Sequence, residues 1–393
     1  MSDPGRICRH YGTCGGCRYQ DIPYSEQVAA KEAECRGLFS SWGAEGALLP
    51  AVPSPSPYFY RNKMEFSFAG TAADLICGLH RRDRRRELFD LEECLIFSEK
   101  APAVVGTVRE FARRSGLSAH SCFTHRGFWR NLVVRETKFT NQLLINLVTT
   151  SSGDFDGERL AGLLAAALPP GTDLSLLHTI NDRPGDAVVP DSVALLAGKG
   201  YLVEEVEGLK FKIPPFSFFQ VNPRAVAGFY RVLRDLPPAA DPGMVLDLFC
   251  GIGPISLLLA PRAREVVGVE MDGAAVETAR ENAVLNGAGN VEFIAGDARK
   301  VLYERRENWT GRFGLLVVNP PRSGIGKKVL KRIRELRPPF ILYSSCNPRT
   351  FSEQAEGLFD DYRPVLGRPF DFFPHTPHQE LLALFERRRE EKP

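Results

Sequence analysis

No stretch of this 393-residue chain stays apolar for the ~18 to 20 residues that a membrane-spanning helix needs. Its opening, Met1-Ser2-Asp3-Pro4-Gly5, lacks the basic, apolar and small-residue succession of an export signal. A cytoplasmic protein is the expectation. Charge of one sign is also lacking: the formal net charge is +2, too small to draw in or exclude a polyanionic partner. There is no internal repeat and no long low-complexity segment, which excludes solenoid and linker architectures. Cysteine, by contrast, is plentiful. Nine in a chain without an export signal argue against a disulfide framework and for metal binding or catalysis.

What is present is a globular composition, 44% hydrophobic and 25% charged, on a length that suggests two or three domains. Residues 1–57 hold a Gly-rich loop with Cys8, Cys14 and Cys17, a helix at 24–39 and a Pro-rich break. Residues 58–208 read as short strands and turns (63–68, 76–80, 132–136, 142–148) with helices at 100–116 and 157–167, a β-rich α+β pattern. In 209–393 a helix at 222–236 leads into strands at 245–249, 265–270, 291–294, 314–318 and 340–345. These alternate with helices at 254–260, 272–286, 327–335 and 350–358. That alternation predicts an α/β, doubly wound, mostly parallel sheet. Local basic runs, His80-Arg81-Arg82-Asp83-Arg84-Arg85-Arg86 and Lys327-Lys328-Val329-Leu330-Lys331-Arg332-Ile333-Arg334, are candidates for following a phosphate backbone or for a solvated surface.

In the α/β part, Gly251 and Gly253 follow a predicted strand and allow a tight turn and close approach of a ligand. A dinucleotide fingerprint wants a third glycine at 256, where the chain has Ser256. Glu270 closes the next strand, where a carboxylate accepts from two ribose hydroxyls, and Asp297 closes the one after, in reach of an adenine amino group. Followed by Asn319-Pro320-Pro321, this order suits S-adenosylmethionine better than a nicotinamide dinucleotide. Cys346 ends the run Ile341-Leu342-Tyr343-Ser344-Ser345-Cys346-Asn347-Pro348, a thiol at a strand end where open α/β sheets do their chemistry. Cys35, Cys77, Cys122 and Cys250 read as small buried hydrophobes.

Four of these segments carry a resemblance: Phe216-Ser217-Phe218-Phe219-Gln220-Val221-Asn222-Pro223, Asp247-Leu248-Phe249-Cys250-Gly251-Ile252-Gly253, Val318-Asn319-Pro320-Pro321-Arg322-Ser323-Gly324 and Ser344-Ser345-Cys346-Asn347-Pro348. With His378-Gln379-Glu380 they resemble, in order, the RNA uridine-C5 methyltransferases, over about residues 210–385. The resemblance implies a Rossmann-like, class I S-adenosylmethionine-dependent methyltransferase domain. It makes Cys346 the nucleophile and Glu380 the general base, with His375 and His378 as rival bases on chemistry alone. It assigns cofactor contacts to Gln220, Phe249, Gly251, Glu270, Asp297 and Asn319. Many relatives have Asp where this chain has Asn319. Asn-Pro-Pro is also similar to enzymes that methylate exocyclic amines, but those follow it with an aromatic residue, whereas Arg322 follows here. Arg322 is expected to meet phosphate or hold its loop.

Cys8, Cys14, Cys17 and the distant Cys94 form a set of candidate thiolate ligands, and their spacing fits zinc or an iron–sulfur cluster alike. The ribosomal branch of the family carries a [4Fe–4S] cluster on this pattern, so the resemblance implies that cluster, in a structural role. Because the candidate ligand cysteines begin at Cys8, the RNA-binding barrel that precedes them in some relatives is not expected here. The implied cluster, the barrel's expected absence and Asn319-Pro320-Pro321-Arg322 together look most like the RlmC-type enzymes acting on 23S ribosomal RNA, with transfer-RNA enzymes the nearest rival. RNA is the implied partner, and no membrane, obligate protein partner or assembly beyond a monomer is expected. A non-enzymatic iron–sulfur redox sensor or RNA-binding assembly factor is the alternative of a different class. Phe66, Phe68, Phe128 and Trp129 are candidates for base stacking or for core packing.

Overall fold

The computed structural model describes residues 6–84 and 86–389; Arg85 of the basic run and Met1 to Gly5 lie outside them. Two seven-stranded sheets and a two-stranded hairpin make up its β-structure. The first sheet contains β1 (Lys63–Ala69), β2 (Ile76–His80), β3 (Leu88–Asp90), β4 (Trp129–Glu136), β5 (Gln142–Thr149), β6 (Asp173–Ile180) and β7 (Ser192–Ala197) in the order β3-β2-β1-β4-β5-β6-β7. It is antiparallel except where β5 and β6 run parallel, joined by the helix Gly157–Ala167. Alternation sets its two faces. On β1, Met64, Phe66 and Phe68 turn toward the helix Ala101–Arg114 and its Val104 and Val108, while Lys63, Glu65 and Ser67 occupy the other face. Phe66, Phe68, Phe128 and Trp129 all belong to that core, so none of them is available for stacking on a base.

The hairpin of β8 (Leu202–Val206) and β9 (Leu209–Ile213) leads to the second sheet. This contains β10 (Met244–Leu248), β11 (Glu265–Glu270), β12 (Val291–Ala295), β13 (Leu315–Val318), β14 (Phe340–Ser345), β15 (Tyr362–Phe370) and β16 (Glu380–Arg387). The order is β12-β11-β10-β13-β14-β16-β15, with β10 to β14 parallel and β15 and β16 antiparallel. β10 and β13 are buried throughout, as strands covered on both faces must be, and both are correspondingly apolar apart from Asp247. Truncating Leu246 there to alanine costs about 2 to 5 kcal/mol. The chain leaves β10 in one direction through β11 and β12, then returns to its other side as β13 and β14. The strand order reverses at β10 and β13, and the carboxyl ends of strands at such a switch point are where open α/β sheets bind ligands.

β15 carries Pro364, Gly367 and Pro369, tolerated because it is an edge strand with a register shift after Pro364. Gly367 also has a packing reason: a Cβ there would sit 2.2 Å from the Phe39 ring of the helix Tyr24–Ser41. That helix is further tied to the loop after β15 by a buried Lys31–Asp371 ion pair at 2.6 Å. Among the described residues no helix is long and apolar enough to cross a membrane.

Candidate active site

The turn after β10 needs left-handed backbone at Phe249 (φ 63°), Gly251 (φ 55°) and Gly253 (φ 87°). A side chain at 253 would meet the Phe293 ring at 2.8 Å, so the second glycine answers to packing as well as conformation. Glu270, at the end of β11, accepts the Gly251 N–H at 3.1 Å and the Met271 and Asp272 N–H groups at 2.7 and 3.0 Å. Asp297 caps the helix Ala298–Glu304 by accepting from the Lys300 N–H at 3.1 Å. The Asn319 N–H points to the Leu248 carbonyl at 3.4 Å, joining the ends of β13 and β10. The Gln220 carbonyl accepts from the Asn62 side chain at 2.9 Å, which binds this loop to the start of β1. The six residues expected to contact a cofactor thus include four at the carboxyl ends of β10 to β13 and one, Gly251, in the turn above them; Gln220 lies in the loop between β9 and the helix Pro223–Asp235.

Ser256, where a third glycine was missing, has its own function. Its buried hydroxyl donates to Asp247 Oδ2 at 2.6 Å, while Asp247 Oδ1 is buried without a partner. Burial pushes the Asp247 carboxyl up to about 7. An orphaned acceptor below the glycine turn suits an ammonium group, and the sequence reading had not singled out Asp247.

Cys346 follows β14 directly and precedes the helix Pro348–Glu356, whose N-cap is Asn347. β14 and β16 are antiparallel with Ser344 opposite Leu382 and Ser345 opposite Leu381. One further step of that register sets position 346 opposite 380. Glu380 is therefore a neighbour of Cys346 through strand pairing, although 34 positions separate them in sequence. Glu380 is 2% exposed and accepts a hydrogen bond from the Ser344 hydroxyl. Burial raises its carboxyl to about 7, and the Ser344 bond opposes the rise only in part. The Cys346 thiol is also raised, first by burial and then by the Glu380 charge, while the Arg322 guanidinium that hydrogen-bonds it pulls the other way. Arg322 is thus at the thiol as well as in its loop, a partner that the sequence reading did not identify.

The rival bases separate. His375 is buried with Nδ1 at 3.2 Å from the Gln27 amide, and its carbonyl accepts from the Arg18 and Tyr19 N–H groups. His378 lies near the surface, and partial desolvation of its ring, then the charges of Arg322, Lys31, Arg18 and Arg61, hold it below the usual histidine range. Neither shares the Cys346 register.

Cys8, Cys14, Cys17 and Cys94 line one pocket with Met64, Leu79, Leu91, Leu95 and Ile96. All four thiols are raised by burial, Cys17 and Cys94 to about 12. Each also receives hydrogen bonds that favour the thiolate, among them Gly16 N–H to Cys14 and the Gln20 amide to Cys17, both at 3.3 Å. Among the described residues no three His, Cys, Asp or Glu side chains are gathered around a single-ion position. Cys35, Cys77 and Cys250 are buried as expected. Cys122 is not: it sits half-exposed in a loop with its thiol against Asp186.

A family model described as tRNA (Uracil-5-)-methyltransferase matches residues 216–388, the segment containing the second sheet. An uncharacterized RNA methyltransferase of Clostridium tetani is 37% identical over 385 residues, covering 97% of this chain and 84% of its own. Another, from Caldanaerobacter subterraneus subsp. tengcongensis, is 38% identical over 384 residues with the same coverage. Among solved structures, the Pyrococcus abyssi tRNA (uracil-54, C5)-methyltransferase in complex with S-adenosyl-L-homocysteine matches with a TM-score of 0.78 at 28% identity, over 98% of this chain and 87% of that one. The likeness runs through both sheets, and the chain belongs to the S-adenosylmethionine-dependent RNA (uracil-5-)methyltransferases.

Proposed function

We propose that this chain methylates C5 of a specific uridine in 23S ribosomal RNA, with Cys346 as nucleophile and Glu380 as general base. The observation that carries this reading is the β14–β16 register, which sets a thiol and a carboxyl raised to about 7 side by side at the carboxyl end of β14. C5 of uracil is a poor nucleophile. Addition of the Cys346 thiolate to C6 turns it into an enolate carbon, and the Arg322 guanidinium favours that thiolate. S-adenosylmethionine, when bound, supplies the electrophilic methyl group. Glu380 then takes the C5 proton and the C6–S bond breaks, which returns the thiolate. A carboxyl near 7 is ionised often enough to act as base and remains basic enough to accept a carbon-bound proton.

Gln220, Phe249, Gly251, Glu270, Asp297 and Asn319 are the proposed cofactor contacts, and Asp247 Oδ1 is a fitting acceptor for the ammonium of its methionine part. Cys8, Cys14, Cys17 and Cys94 are the proposed ligands of a [4Fe–4S] cluster. Four thiols in one largely apolar pocket, each already receiving hydrogen bonds to sulfur, suit a thiolate-bound cluster, whose positive iron would offset the burial that now keeps them protonated. In this reading 1–57 is the cluster segment, 58–208 an RNA-binding domain and 209–393 the methyltransferase domain. The four-cysteine pattern supports the ribosomal, RlmC-type target; the match to a transfer-RNA enzyme along 98% of the chain favours transfer RNA as the second reading. Incubation with 5-fluorouridine-containing 23S and transfer-RNA transcripts distinguishes them. A stable adduct through Cys346 with the 23S transcript is expected. Adduct with transfer RNA alone would transfer the assignment, and no adduct with either would overturn the mechanism.

A further inference from the structure

The face of the first sheet opposite its apolar core holds two cations side by side. Lys63 of β1 and Arg135 of β4 are direct partners in the antiparallel ladder. Like charges in that position repel and destabilise a sheet. Arg135 is only 5% exposed, its Nε has no hydrogen-bond partner, and no ion pair to it exists among the described residues. Its Nη2 donates to the Ser217 carbonyl in the loop that contains Gln220. Burial alone lowers its pKa to about 10; burial, then Arg135 and Arg61, lower that of Lys63, with exposed Glu65 opposing. A buried, uncompensated guanidinium costs several kcal/mol on the scale of such groups. An anion arriving beside it would offset that cost.

The seat is continuous with the catalytic end. Asn62, between Arg61 and Lys63, donates to the Gln220 carbonyl and its N–H meets the Val221 carbonyl at 2.8 Å. Arg61 shares with Arg322, Lys31 and Arg18 the positive field acting on His378. From the Cys346 thiol, cations thus extend through Arg322 and Arg61 to Lys63 and Arg135.

We propose that Arg61, Lys63 and Arg135 form a seat for a backbone phosphate of the RNA beside the target uridine. The seat rests on the RNA-methyltransferase reading and adds to it a defined anion site outside the methyltransferase sheet. Three cations on one phosphate give charge-assisted, salt-sensitive binding that is blind to base identity.

RNA affinity as a function of salt, measured for wild type, Arg135→Gln, Lys63→Gln and Arg135→Lys, tests it. Each glutamine variant should bind RNA roughly 5- to 20-fold more weakly at physiological salt and lose about one unit of salt slope, whereas Arg135→Lys keeps the slope. S-adenosylhomocysteine affinity and the adduct-forming rate at saturating RNA should stay within about twofold of wild type, and the melting temperature of Arg135→Gln should not fall, because an unpaired buried charge has been removed. Glutamine variants with the wild-type slope would overturn the seat while leaving a methylating wild type intact. So would an Arg135→Gln protein that loses melting temperature and S-adenosylhomocysteine affinity together, the mark of a strut for the Ser217 loop. A wild type that forms no uridine adduct would instead overturn the reading on which the seat rests.

Discussion

The Cys346 thiol and the thiols of Cys8, Cys14, Cys17 and Cys94 are all held above the ordinary cysteine range by burial, but their neighbours differ. Around Cys346 stand one carboxyl and one guanidinium, groups that exchange or stabilise charge during a reaction. Cys17 has chiefly apolar side chains and the other three thiols around it, and their charges raise it further. A thiol that must attack carbon and leave again needs a thiolate that is reachable but not permanent. Thiols that hold a metal need the opposite, a dry pocket in which only a bound cation makes the thiolate stable. Residue type is shared; the neighbouring charge distinguishes the two proposed roles.

The largest effect expected is at Cys346. Cys346→Ala should lower methylation by at least about 10³-fold and abolish the 5-fluorouridine adduct, while the melting temperature stays near wild type; a variant that methylates normally would break the distinction between the thiols. Glu380→Gln should reduce turnover by about 10²- to 10⁴-fold yet still add to RNA, so the covalent complex accumulates on denaturing gels. Arg322→Gln should slow adduct formation by roughly 10- to 100-fold. With the guanidinium gone the thiolate is less favoured, so the pH midpoint for alkylation of Cys346 by iodoacetamide should move upward. Cys17→Ser should lower the melting temperature and the bound iron while leaving that alkylation midpoint unmoved. A shifted midpoint would show that the two thiol sites are not independent.

The smallest effect is a stability difference with a definite sign. The Glu380 carboxyl is raised in the folded protein, from an ordinary 4.5 to about 7, so the folded state binds the extra proton. Its contribution is fully present below about 4.5 and is lost as pH rises through about 7. Over that window the loss amounts to about 3 kcal/mol, and Glu380→Gln should escape it. Thermal unfolding at pH 8 should find the glutamine variant more stable than wild type, with the difference shrinking toward pH 5.

Most of the parallel sheet was legible in sequence because its strands are apolar runs and its helices amphipathic. The strands at 265–270 and 340–345 and the helix at 157–167 end where they were expected. β15 and β16 were not read as strands. Pro364, Gly367 and Pro369 make β15 look like a loop, and only its place at the sheet edge and the approach of Phe39 explain them. β6 and β7 were missed as well, and with them the parallel step inside the first sheet. Arg322 was expected to meet phosphate or hold its loop, and its place beside the Cys346 thiol was not legible because Asn-Pro-Pro-Arg says nothing of what lies across the site. Asp247 was passed over, and Ser256 was read only as a missing glycine, because their significance is mutual, a hydroxyl on one element holding a carboxyl on another.

By itself the sequence determined the order of the elements, the glycine turn, the strand-end thiol and the family, because these depend on local pattern and on short motifs. Only the tertiary structure decided which groups share a field. Strand register set Glu380 beside Cys346, loop closure brought Arg322 to the thiol, chain reversal carried Cys94 to Cys8, Cys14 and Cys17, and sheet pairing set Arg135 against Lys63. Charge acts through space over a few ångströms, and the spacing of residues along a chain does not state which of them come that close.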